Sequence, residues 1–273
     1  MTVRRPAGAK SALTMRHGMN DHSVYLYAIG DAALADSDAL AYSTGVEAGP
    51  LRTIVEGPLA AVVASVDRNQ FSEQSLHAHL EDLEWVEKLA RTHHEVVDRI
   101  AQNHSIAPVR MATVYLTDDG IRELLQSRCS ELAATLDRVR GRSEWGVKGY
   151  AAPVDEASTA ERDASSSDTP GTSYLMRRRA QRDRSAHRRE RLATVAEKLH
   201  EEFAALAVDS RVYPPQDPRL TGRRDEMVLN AAYLVDEAGA ALLARLVDAA
   251  PEELQLELTG PWAPYSFTNL EAT

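Results

Sequence analysis

The sequence predicts an α+β protein of two domains: an N-terminal mixed α/β domain and a C-terminal ferredoxin-like domain in the order β-α-β-β-α-β. Three observations predict it. The hydrophobic period switches repeatedly between two residues and about 3.6 residues. In the second half, a run that is apolar on both faces except Asn230, residues 225–236, stands third of four strand-like segments. Such a run belongs inside a sheet, where the ferredoxin-like order puts its third strand. Finally, 273 residues with 44% hydrophobic and 26% charged composition can bury real cores. The boundary falls near Gly141. That leaves a basic tail at 1–22, a first domain at 23–141 and a second at 142–273.

The tail carries Arg4, Arg5, Lys10 and Arg16, and residues 1–20 hold no acid. It lacks the apolar core of a signal peptide and reads as mobile; a mitochondrial-type presequence is the alternative, with a thin apolar face. Residues 24–29 are a β-rich apolar run and form a strand. Residues 51–56 alternate Leu51, Thr53 and Val55, Gly57-Pro58 breaks the chain, and 59–66 reads as a buried strand. The pair makes a hairpin with a tight turn. Over 72–102 the period changes: Leu76, Leu80, Leu83, Val86, Ala90, Val97 and Ile100 mark one long amphipathic helix, with Glu81, Glu84, Glu87, Lys88 and Arg91 on its polar face. Residues 105–116 form a strand, and Pro108 points to an edge or a bulge. Thr117 caps the next helix, with Asp118 and Asp119 set against its dipole. Ile121, Leu125, Leu132, Leu136 and Val139 form its stripe, and Gly141 ends it.

In the second half, 143–150 is a strand. Residues 153–170 are polar, Ser-rich and acidic, and read as a flexible excursion. A helix over 174–207, a short strand at 209–213 and the apolar strand at 225–236 follow. Then come a helix at 237–250, stopped by Pro251, and a strand in which Leu254, Leu256 and Leu258 alternate with Gln255 and Glu257.

Composition excludes several functions. A formal net charge of -10 and a pI of about 5.4 argue against nonspecific binding to nucleic acid or anionic membrane. No run approaches the roughly 18 apolar residues of a membrane span. The single cysteine, Cys129, precludes an internal disulfide and points to a reducing compartment. It falls mid-helix and reads as a packing residue. His77, His79, His93, His94 and His200 contain no His-Glu-x-x-His pattern, and the one Glu197/His200 pair is short of a di-iron set. There is no nucleophile elbow, Walker loop or dinucleotide fingerprint. The carboxylates Asp82, Glu84, Glu87 and Glu95 follow a solvated helix face. The third strand, Met227 to Tyr233, lacks the basic and aromatic run of an RNA-recognition sheet. No catalytic, cofactor or metal site is expected.

Two biased segments remain as candidates for partner contacts. Residues 177–191 hold eight arginines: Arg177, Arg178, Arg179, Arg182, Arg184, Arg188, Arg189 and Arg191. The apolar stripe of this helix strengthens only at Leu192, Val195, Leu199, Phe203 and Leu206. Its first turns therefore project into water, either as a solvated end or as a dock for an acidic protein surface. Trp262, Tyr265 and Phe267 fall close together in a chain with only fifteen aromatic side chains. They form either a tail folded over its own core or an aromatic contact.

Several stretches together resemble the GvpL/GvpF family of gas vesicle proteins. They are Asp82-Leu83-Glu84-Trp85, Pro108-Val109-Arg110, Glu144-Trp145-Gly146-Val147-Lys148 and Gly171-Thr172-Ser173-Tyr174-Leu175 before the arginines. Met227 to Val235 and Thr259-Gly260-Pro261-Trp262, continuing through Pro264-Tyr265-Ser266-Phe267, complete the set. The likeness runs from about Val24 to Phe267. Met111 and Ala112 depart from it, standing where the family usually has an aromatic residue and a glycine. The resemblance implies a non-enzymatic accessory or minor structural protein of the cytoplasmic gas vesicle. It implies binding to the shell protein GvpA and other accessory Gvp proteins, and no cofactor. An assembly chaperone that leaves the shell, an RNA-binding module and an enzyme with an inter-domain cleft are the alternatives.

Overall fold

The computed structural model describes residues 21–41, 44–153, 170–223 and 225–268. The expected basic tail and most of the 153–170 excursion lie outside them. In the first half, β1 (His22–Asp31) leads through a short α1 (Asp38–Ala41) to β2 (Leu51–Glu56) and β3 (Leu59–Asp67). Next come α2 (Glu73–His79), α3 (Leu83–Ala101), β4 (Ile106–Pro108), β5 (Val114–Tyr115), α4 (Asp118–Ser127) and α5 (Cys129–Val139). The strands form one antiparallel sheet in the order β2-β3-β1-β4, with β5 also on β1.

This sheet is covered on both faces. Tyr25, Tyr27 and Ala28 of β1 meet Leu89, Val96, Val97 and Ile100 of α3. Val24, Leu26 and Ile29 meet Ile121 and Leu125 of α4 and Leu132 and Leu136 of α5. A register shift between Leu26 and Ala28 sets the parity of the two faces. Both faces are buried, so β1 reads as a continuous apolar run without alternation. Each fully buried aliphatic side chain contributes about 1.5–3 kcal/mol.

Three expected elements are each divided in two. The helix expected over 72–102 breaks after α2 because the Asp82 carboxylate accepts the Glu84 and Trp85 N–H groups at 3.0 and 3.3 Å, starting α3 afresh. The helix expected after Thr117 breaks at Arg128 (φ -110°, ψ 18°). Cys129 therefore opens α5 instead of lying mid-helix, half-buried against the second core. The strand expected over 105–116 becomes β4 and β5, separated by a loop in which Ala112 takes φ 63°. Pro108 lies on β4 at the edge of the sheet order, where its missing donor costs little.

The second half runs β6 (Ser143–Ala151), α6 (Pro170–Leu206), β7 (Asp209–Val212), α7 (Pro218–Thr221), β8 (Met227–Val235), α8 (Glu237–Asp248) and β9 (Leu254–Trp262). Its antiparallel sheet has the order β7-β8-β6-β9, so β8 is paired on both sides. One face is closed by Leu192, Ala196, Leu199 and Phe203 of α6 and Leu243 of α8, packed on Val147, Leu229, Ala231, Tyr233 and Val235. The other face is only partly covered. Val139, Tyr213 and Phe267 close it over Ala232 and Leu234, while Gln255 and Glu257 of β9 stay exposed.

Candidate functional site

The segment after β9 leaves the second sheet and reaches the first at Thr268. Thr268 Oγ1 donates to Pro108 O at 2.9 Å. Arg138 of α5 donates to Phe267 O at 2.5 Å. Ser266 is held from both sides: its N–H and Oγ–H donate to the Glu144 carboxylate at 2.8 and 2.5 Å, and Tyr213 O–H donates to its Oγ at 2.7 Å. Burial pushes the Glu144 pKa up, and the two Ser266 bonds oppose that rise. Gly260, at φ 132°, enters this segment where a Cβ would meet Glu144 O at 2.8 Å and the Trp145 ring at 3.1 Å.

Beneath Tyr265 lies a buried histidine. His93 Nδ1 is 3.0 Å from Tyr25 Oη, and Nε2 is 3.1 Å from Val109 O. With the proton on Nε2, His93 donates to Val109 and accepts from Tyr25, whose oxygen in turn accepts Ala112 N–H at 3.0 Å. Every group is satisfied by the neutral imidazole, and desolvation pushes the His93 pKa down to about 4. This is core architecture.

The structure therefore brings Trp262, Tyr265 and Phe267 together but exposes them unequally. Phe267 is 3% exposed, Tyr265 is half-buried and Trp262 is 41% exposed. Trp262 lies against His94, with ring centroids 5.5 Å apart. It also lines a cleft of about 650 Å³ shared with Asp98, His104, Trp145 and Glu237. Asp98 pairs with His94 at 3.1 Å, and His104 bonds Ser37 Oγ at 2.9 Å. Glu237 opens α8, where a carboxylate complements the helix dipole.

The arginine-rich segment is built differently. α6 has 37 residues, about 55 Å at 1.5 Å per residue. Its C-terminal half buries Leu192, Ala196, Leu199 and Phe203. Residues 178–187 are exposed on every side, including Arg178, Arg179 and Arg182; Arg177 belongs to the same helix. Contacts with the rest of the fold include Arg188, which donates to Ala152 O, Arg189, 3.3 Å from Glu226, and Arg191, 3.0 Å from Glu253. The helix dipole adds positive potential at this end.

Other chemical candidates have structural roles. His200 of the Glu197/His200 pair bonds Tyr233 Oη at 2.9 Å. His79 stacks on Trp85 with centroids 4.9 Å apart and bonds Gln70. Among the described residues, no cluster of three His, Cys, Asp or Glu side chains could hold a metal, and no helix is long and apolar enough to cross a membrane. Sequence reasoning missed Glu144, Ser266, Tyr213 and Arg138, because nothing local to each shows that they converge.

These features define a mixed α/β protein with two antiparallel sheets, joined by a half-buried polar network and carrying a long cationic half-helix outside the packing. Comparison with known proteins narrows that class. The sequence profile of the family described as gas vesicle synthesis protein GvpL/GvpF matches residues 23–269. Gas vesicle protein L of a Streptomyces species is 38% identical over 256 residues, covering 92% of this chain and 94% of that protein. Gas vesicle protein L1 of Halobacterium salinarum is 24% identical, with 98% of each chain covered. The crystal structure of GvpF from an Anabaena species superposes with a TM-score of 0.63 at 17% identity, over 92% of this chain and 98% of that one. GvpF from Microcystis aeruginosa gives 0.59 at 16% identity, over 91% and 99%. The chain belongs to the GvpL/GvpF family of gas vesicle proteins, which is involved in gas vesicle formation.

Proposed function

We propose that this chain is a non-enzymatic accessory or minor structural protein that binds the shell protein GvpA, other Gvp proteins, or both, during vesicle assembly in the cytoplasm. The observation that supports this most is the basic half of α6. A helix exposed on every side over 178–187 contributes almost no burial to its own fold. It does present guanidinium groups suited to bidentate contacts with carboxylates. Trp262 offers a second, aromatic contact. An unassembled shell subunit with a water-repelling face needs a partner to suppress aggregation.

The two halves are read as domains divided near Gly141, at 23–141 and 142–273. The second is read as ferredoxin-like, a reading supported by the strand order β7-β8-β6-β9. The test is affinity capture from cells expressing the whole gas vesicle gene cluster, followed by analysis of purified vesicles for this chain. Capture of GvpA or accessory Gvp proteins is expected. It should fall on charge reversal at Arg177, Arg178, Arg179 and Arg182 while the fold persists. Absence of every Gvp protein from the captured material would refute the reading. Presence or absence of the chain in washed vesicles separates a shell component from a chaperone that departs.

A further inference from the structure

We propose that the arginine-rich end of α6 docks onto the acidic corner between α2 and α3 of a second copy of this chain, head to tail. The proposal rests on reading that end as a docking surface, and it names an acidic surface that fits.

Two fifteen-residue stretches mirror each other in charge. Residues 177–191 carry eight arginines against Asp183 and Glu190, a net +6; in a chain of formal charge -10, the remainder carries -16. Residues 73–87 carry Glu73, Glu81, Asp82, Glu84 and Glu87, with no Lys or Arg; Asp82 caps α3 and Glu87 pairs with Arg91 just past the stretch at 2.6 Å. Each stretch also has exposed apolar side chains beside it or within it. Met176 is 68% exposed next to the arginines; Leu80 and Leu83 are 47% and 82% exposed among the acids. Residues 80–84 are all exposed, because the Asp82 cap turns the chain there and takes both leucines away from the core.

The two surfaces lie in different halves of the sequence, each some way along the chain from the cleft that Asp98 and Ser143 line. The last turn of α3 lines that cleft through Asp98 and Ala101, so Leu83 stands about 27 Å back along the helix. β6 starts at the same cleft with Ser143. Arg188 meets Ala152 just past its other end, about 26 Å along the strand. Residues 178–187 run about 15 Å further. The basic end seats on such a corner of another copy. Exposed ion pairs contribute about 0–1 kcal/mol each, so the contact needs several, gathered round Met176, Leu80 and Leu83, and it is salt-sensitive. Because it joins unlike patches, it is heterologous and extends unless the rotation closes a ring.

The test is sedimentation velocity of the full chain at about 20 mM and about 500 mM salt. Concentration-dependent association is expected at low salt and its loss at high salt. The triple variants Arg178→Gln/Arg179→Gln/Arg182→Gln and Glu81→Gln/Glu84→Gln/Glu87→Gln should each associate at least about tenfold more weakly with circular dichroism unchanged, a loss of about 1.4 kcal/mol. An equimolar mixture should form a dimer and stop there, since each variant keeps the face that the other lacks. A wild-type monomer at low salt, unweakened triple variants, or a mixture that yields no dimer would overturn the proposal. Arginine-dependent capture of other Gvp proteins alongside a monomeric wild type would overturn this contact alone and leave the proposed function standing.

Discussion

The junction and the basic half of α6 treat polar groups in opposite ways. At the junction a few are buried or half-buried, and most are matched: Glu144 to Ser266, Ser266 to Tyr213, His93 to Tyr25 and Val109, with Tyr265 Oη the exception, buried without a partner. On the basic half-helix many charges are exposed, with Arg189 and Arg191 among those tied to carboxylates of the fold. The difference locates stability and contact capacity in separate places. A buried matched group is costly to disturb; an exposed arginine costs little to change and remains available to a partner.

The sharpest way to break this comparison is Phe267→Ala. Phe267 is 3% exposed between Val139, Ala232 and Leu234, so its loss should cost about 3–5 kcal/mol in urea unfolding. Next is acid. His93 is held neutral in the fold, with its pKa pushed down to about 4. Its contribution should be complete above about pH 6.5 and lost as the pH falls toward 4, up to about 3 kcal/mol. Unfolding free energy measured against pH should lose that part of its slope in His93→Gln. Third, Glu144→Ala removes the acceptor of the Ser266 N–H and Oγ–H, for about 1–3 kcal/mol by the same measurement. The smallest effect sharpens the comparison: Arg178→Gln/Arg179→Gln/Arg182→Gln should change stability by no more than about 0.5 kcal/mol while capture of Gvp proteins falls. A loss as large as that of Phe267→Ala would show that the half-helix belongs to the core after all.

Much of the fold was legible as periodicity. β8 reads as an interior strand because both its faces are apolar, and β9 as half wet because Leu254, Leu256 and Leu258 alternate with polar residues. The helix breaks were not legible, since Asp82 and Arg128 interrupt stripes whose apolar spacing continues past them. Asp82 ahead of Leu83-Glu84-Trp85 was the available signal, a capping carboxylate before a helix start. The arginine end stood out because charge density is a local property. The roles of Trp262, Tyr265 and Phe267 did not separate, since three neighbouring aromatic residues look alike until one is placed in a core.

The amino-acid sequence by itself determined the alternation of strands and helices, the arginine density of α6 and the family, because each is written in residues close along the chain. Only the tertiary structure decided that residues 262–268 close the joint between the two sheets, that His93 is a neutral core group, and that Leu80 and Leu83 face water. Those outcomes depend on which distant groups converge, such as Glu144 with Ser266 or Thr268 with Pro108. Contacts across more than a hundred residues follow from packing of whole elements, and local pattern does not encode them.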